Sequence, residues 1–134
     1  MNALSREPVA QPETILIVED EVLIRLELAD YLRECGYQVL EAVNADEALD
    51  VLRCDREIDL VFSDVHMPGS MDGFGLARWI RANRTGIEVI LTSGVDRSTA
   101  VASELCEEGP LEAKPYHPQL LLERIRVVLA RTRR

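Results

Sequence analysis

Three short apolar runs, Thr14–Val18, Ile58–Phe62 and Ile87–Leu91, show almost no alternation of polar and apolar residues. A strand with one wet face alternates, whereas a strand buried on both faces reads as a continuous hydrophobic run. Two weaker strand signals, Tyr37–Ala42 and Pro110–Ala113, complete a set of five. Between them lie segments of helical period. From Val22 to Cys35, Val22, Leu26, Ala29 and Leu32 recur at helical spacing, with Leu23, Leu28 and Tyr31 beside them, and Gly36 follows as a C-cap. Asn44-Ala45-Asp46-Glu47 is a capping box that opens a helix bearing Ala48, Leu49, Val51 and Leu52. Asp72 caps a third helix carrying Leu76, Ala77 and Ile80, which Thr85-Gly86 breaks. A weak helical stretch spans about 97–106, and Tyr116–Ala130 is amphipathic, with Leu121, Ile125, Val128 and Leu129 on one face. Five alternations of strand and helix, joined by right-handed crossovers, give an α/β fold: a flavodoxin-like (βα)5 doubly wound parallel sheet of order 2-1-3-4-5.

The length, 134 residues, suits one domain. The expected division is a loose tail over 1–12, a domain over 13–131 and a basic tail over 132–134, with no segment left for a second domain. A net charge of −9 argues against direct nucleic-acid binding, which needs a basic footprint. No apolar run approaches the roughly 20 residues of a membrane span, and Met1–Pro12 lacks the apolar core of a secretory signal. Cys35, Cys54 and Cys106 form neither a zinc pattern nor a disulfide framework, and read as buried or half-buried reduced thiols of a cytoplasmic protein.

Ligands of open parallel sheets bind outside the carboxyl ends of the strands. Those ends carry Glu19 and Asp20 after the first strand, Asp64 at the third, Thr92 at the fourth and Lys114 at the fifth. Any one of them alone would ordinarily be a solvated charge or a helix cap; all five at one edge of one sheet make a site. In the 2-1-3-4-5 order strands 1 and 3 are neighbours, so three carboxylates converge. Their repulsion calls for a cation, and an all-oxygen set suits a hard one such as Mg²⁺. With a lysine and a hydroxyl alongside, these are the parts that hold a phosphoryl group in transfer, and a carboxylate can be its nucleophile.

Ile15-Leu16-Ile17-Val18-Glu19-Asp20-Glu21, Ser63-Asp64-Val65-His66-Met67-Pro68, Met71-Asp72-Gly73, Val89-Ile90-Leu91-Thr92-Ser93 and Lys114-Pro115 together resemble the receiver domain of bacterial two-component response regulators. The resemblance covers about residues 13–131. It implies that Asp64 accepts a phosphoryl group from the phosphohistidine of a histidine kinase or phosphotransfer protein. It implies that Asp20, Asp64 and the backbone carbonyl of His66 bind Mg²⁺ (or Mn²⁺) directly, with Glu19 acting through water. Thr92 and Lys114 would contact the phosphoryl oxygens. The chain would be a stand-alone signalling domain, not an enzyme beyond its own phosphorylation and dephosphorylation. It would act on a downstream protein by phosphorylation-dependent binding or by phosphorelay, and a homodimer is compatible with this.

The sequence departs from the family pattern at three points. Leu111 stands where an aromatic switch residue is usual, which leaves Thr92, Leu111 and Tyr116 as switch candidates. The loop Met67–Gly73 is one residue longer than usual, and Ser93-Gly94 replaces the common small-Ala pair. Three rivals are weighed. A haloacid-dehalogenase-type phosphatase would want a second aspartate where His66 stands. A flavodoxin-like electron carrier would want a phosphate-cradling loop where Glu19-Asp20-Glu21 stands. A phosphorylation-independent pseudo-receiver has only Leu111 in its favour. Of the two histidines, His66 reads as a side chain at the pocket rim and His117 as a surface residue. Trp79 reads as a half-exposed packing residue.

Overall fold

The computed structural model describes residues 12–54, 57–93, 112–113 and 118–132. Its elements are β1 (Thr14–Val18), α1 (Val22–Glu34), β2 (Gln38–Ala42), α2 (Ala45–Arg53), β3 (Leu60–Asp64), α3 (Gly73–Asn83), β4 (Glu88–Ser93), β5 (Glu112–Ala113) and α4 (Pro118–Thr132). The five strands form one sheet of order 2-1-3-4-5, with every pair parallel. The stretch 97–106, expected to be weakly helical, the tail 1–11 and Cys106 lie outside the described residues.

The unalternating runs do what their composition requires. Successive β1 residues feed opposite cores: Ile15 and Ile17 pack with Leu60, Phe62 and Ile90 under Leu28, Ala29 and Leu32 of α1 and Leu121, Ile125 and Leu129 of α4. Leu16 and Val18 pack on the other face with Val61, Val89 and Leu91 against α2 and α3. Among the described residues, α1 and α4 therefore cover one face and α2 and α3 the other, and none of the four β1 residues Ile15–Val18 is exposed to water.

Helix α2 is capped as its sequence predicts. Asn44 Oδ1 accepts from the Glu47 amide at 2.9 Å. The return bond differs from the expected box: Glu47 Oε1 accepts from the Val43 amide, one residue before the cap, at 2.9 Å. Asp72 Oδ1 likewise accepts from the Gly75 amide at 2.9 Å and starts α3. Trp79 is half-buried against the α2–α3 core, with the Arg53 guanidinium 5.6 Å from its ring centroid.

Two expectations are corrected. Val22, Leu23 and Leu26 do not join the core; they are 54%, 76% and 43% exposed. Helix α1 buries apolar side chains only from Leu28 onward, so these three residues of its first turns have helical period but stay exposed. Cys54 is exposed, because it sits at the C-cap of α2 past the last buried position, Leu52; Cys35 is half-buried.

This division of α1 is measurable. Leu32→Ala, at a fully buried position, is expected to cost about 2–5 kcal/mol in urea denaturation. Leu23→Ala is expected to fall within about 0.5 kcal/mol of the wild type.

Candidate functional site

The register of the sheet fixes the site. Val18 of β1 pairs with Ser63 of β3, so the next residues along, Glu19 and Asp64, leave the sheet side by side. Asp64 pairs with Thr92 on the other flank, and the Val65 amide donates to the Thr92 carbonyl at 2.9 Å. Glu19, Asp64 and Thr92 are buried, while Asp20 is exposed. One carboxylate oxygen from each of Glu19, Asp20 and Asp64 lies within 4.8 Å of the others.

The donor set fits a hard divalent cation. It is composed of oxygen alone, and two oxygens on one Mg²⁺ stand at most roughly 4.2 Å apart. The span of the cluster is of that order. Glu19 Oε2 also accepts from the Glu21 amide at 3.0 Å, and Asp64 Oδ1 from the His66 amide at 3.2 Å. Both carboxylates are thus aimed by their own local backbone. The His66 side chain is exposed, in keeping with a place at the rim rather than in the cluster.

The end of β3 is built with little room. The Ser63 hydroxyl donates to the Asp64 carbonyl at 2.9 Å, and the Gly73 amide donates to the Val65 carbonyl at 2.8 Å. A Cβ on Gly73 would stand 2.3 Å from the Asp64 carbonyl oxygen and 2.7 Å from Val65 Cα. Only glycine lets the start of α3 approach the backbone of Asp64 so closely. The longer loop before it turns at Gly69, whose φ of +116° favours glycine. It is tied back to α2 by the Ser70 hydroxyl, which donates to Asp46 Oδ1 at 3.0 Å.

Glu19, Asp20, Asp64 and Thr92 are thus brought to one end of the sheet. Lys114, Leu111 and Tyr116 lie outside the described residues; β5 runs Glu112–Ala113, in register with Thr92–Ser93. Sequence reasoning missed Arg25. Its side chain, 12% exposed, donates from Nη1 to the Glu19 carbonyl at 2.9 Å and pairs through Nε with Glu41 Oε1 at 3.1 Å. A cation inside an apolar helical stretch, six residues after an acidic strand end, was the available signal.

The pattern of the response regulator receiver domain matches residues 15–126. The chain belongs to that family. It is 34% identical over 125 residues to the transcriptional regulatory protein PdtaR of Mycobacterium tuberculosis, covering 92% of this chain and 60% of that one. It is 33% identical over 123 residues to the phosphate regulon transcriptional regulatory protein PhoB of Pseudomonas aeruginosa, covering 90% and 53%. The chain therefore spans between half and two thirds of the length of these relatives. Among solved structures, the signal receiver domain of an HD domain-containing protein from Pseudomonas fluorescens superposes with a TM-score of 0.83 at 31% identity, covering 91% of this chain and 98% of that one. The response regulator TrrA of Thermotoga maritima, solved in complex with Mg²⁺ and BeF, superposes with a TM-score of 0.73 at 30% identity, covering 85% and 96%. Among the described residues of this receiver domain, no helix is long and apolar enough to cross a membrane.

The close approach at Gly73 has a direct test. Gly73→Ala forces the backbone around Asp64 to move and is expected to cost about 1–3 kcal/mol in urea denaturation. Gly86→Ala, where an added Cβ meets nothing within 4 Å, is expected to be nearly neutral in the same measurement.

Proposed function

We propose that Asp64 of this receiver domain is a phospho-acceptor, charged in a Mg²⁺-dependent reaction from the phosphohistidine of a histidine kinase or phosphotransfer protein. The observation that carries the reading is the convergence of Glu19, Asp20 and Asp64 within 4.8 Å, two of them buried, at the end of the sheet beside Thr92. A Mg²⁺–BeF complex of the relative TrrA supports the same cation and the same kind of site here.

In this reading an oxygen of Asp64 attacks phosphorus, the P–N bond of the phosphohistidine breaks, and the imidazole leaves with the electron pair. Asp20, Asp64 and the His66 carbonyl would hold Mg²⁺ (or Mn²⁺), with Glu19 one water removed; when bound, the ion offsets the charge that gathers on the phosphoryl oxygens. Burial keeps bulk water from Asp64, and the His66 amide fixes its Oδ1. Thr92 and Lys114 would receive the phosphoryl oxygens once the acyl phosphate has formed. The added charge is satisfied best in one arrangement of these two residues and so biases a two-state element. The readout is binding to a downstream protein or onward transfer of the phosphoryl group.

Mass spectrometry after incubation with acetyl phosphate tests the chemistry. The expected result is one added phosphoryl group on the wild type, dependent on Mg²⁺ and absent from Asp64→Asn. No adduct on the wild type, together with no response to beryllofluoride, would replace this reading with a phosphorylation-independent binding module.

The apolar residues beside the pocket suit a protein donor. Val22, Leu23 and Leu26 are exposed on the turns of α1 that follow the acidic residues directly. Leu23→Ser is expected to leave labelling by acetyl phosphate unchanged and to slow transfer from a phosphohistidine protein about 5-fold or more, since a buried interface anchor is worth over roughly 1 kcal/mol. Quench-flow with radiolabelled donor measures both.

A further inference from the structure

Arg25 is a nearly buried cation that does not contribute to the apolar core. Its guanidinium is split between two partners: Nε pairs with Glu41 Oε1 at 3.1 Å, and Nη1 donates to the Glu19 carbonyl at 2.9 Å. Glu41, on β2 beside Ile17 of β1, is itself held from the other side. Arg33 Nη2 lies 3.2 Å from Glu41 Oε2 and also donates to the Val39 carbonyl at 2.9 Å. A buried ion pair is a poor source of net stability, because desolvation cancels much of the attraction. What this one supplies is a fixed direction.

That direction bears on the acidic turn. The Glu19 amide donates to the Ala42 carbonyl at 3.0 Å, the Glu19 carbonyl accepts from Arg25, and the Glu21 carbonyl accepts from the Arg25 amide at 3.0 Å. The peptide joining Glu19 to Asp20 is held at its carbonyl by Arg25, and backbone bonds hold the Glu19 amide before it and the Glu21 carbonyl after it. Among the described residues, the exposed Asp20 carboxylate has no side-chain hydrogen bond of its own, so its position is set by the backbone beneath it.

We propose that Arg25 is a positioning residue for the divalent-cation site, with Glu41 as its orienting counter-ion. By holding the Glu19 carbonyl it fixes the 19–20 peptide so that Asp20 presents its carboxylate beside Asp64. The inference rests on the reading of Glu19, Asp20 and Asp64 as a cation site.

Titration calorimetry with Mg²⁺ on the full chain tests it, with urea denaturation run alongside. Groups that orient metal ligands typically change affinity 10- to 100-fold. Arg25→Gln is expected to weaken Mg²⁺ binding about 10-fold, and Glu41→Gln to weaken it less. Arg25→Lys should recover only part of the loss, since a point-charge ammonium cannot keep both bonds of the fork. The Mg²⁺ concentration that half-saturates labelling of Arg25→Gln by acetyl phosphate should rise by a similar factor, because Arg25 acts on the site of the ion. An unchanged Mg²⁺ affinity in folded Arg25→Gln would overturn the proposal, leaving Arg25 as a packing group. A tighter affinity would also overturn it, making Arg25 a mere counter-charge. Should Arg25→Gln not fold, Arg25→Lys decides: wild-type affinity there defeats the proposal. Failure of the wild type to bind Mg²⁺, with Asp20→Asn no different, would instead defeat the reading of the cluster on which it rests.

Discussion

Everything at the active end of this domain depends on the parallel pairing of β1 with β3. The pairing puts Val18 opposite Ser63, and from that register the two acidic strand ends emerge as neighbours. Three carboxylates within 4.8 Å are a repulsive arrangement without a cation. The strands cannot relieve it by sliding, because Ile15–Val18 and Leu60–Phe62 are buried on both faces and each residue is committed to one of two cores. A one-residue slip would exchange the two faces. The hydrophobic sheet thus supplies the rigidity that holds like charges together, and the resulting field favours a small divalent ion.

The surroundings of Asp64 are governed by close approach rather than by charge. Gly73 lets α3 start against the Asp64 carbonyl, and Asp72 caps that helix from the adjoining position. The preceding loop turns away from this contact, through the left-handed backbone at Gly69 and the Ser70–Asp46 bond. The register Asp64–Thr92 is continuous with the rest of the β3–β4 pairing.

Much of this was legible in the sequence because it depends on short-range pattern. Unalternating runs announce strands covered on both sides, and Asn44 and Asp72 announce helix starts through bonds reaching three residues ahead. Acids at strand ends follow from the order of the sheet. What was not legible depends on where elements end in space. Periodicity gives α1 an apolar stripe from Val22 to Leu32 but does not say that its burial starts only at Leu28. The Glu47 carboxylate bonds the amide of Val43, not that of Asn44, a choice made by backbone angles. Arg25 reads as one more helical polar residue until β2 brings Glu41 alongside it.

Placing exposed apolar groups next to a charged pocket has a physical consequence. Val22, Leu23 and Leu26 add nothing to the core, and contact with water gains them nothing. They begin two residues after Asp20, at the end of the sheet where a phosphoryl group would have to enter. A small phosphodonor needs only the cation and the carboxylates, and gains nothing from an apolar collar. A donor histidine carried on a protein surface would arrive with apolar area that this collar could cover, and would so add association energy that involves no charge. The acidic cluster alone would attract any cation and repel a phosphoryl donor; with the collar beside it, apolar burial would drive the approach and leave the charges for the chemistry.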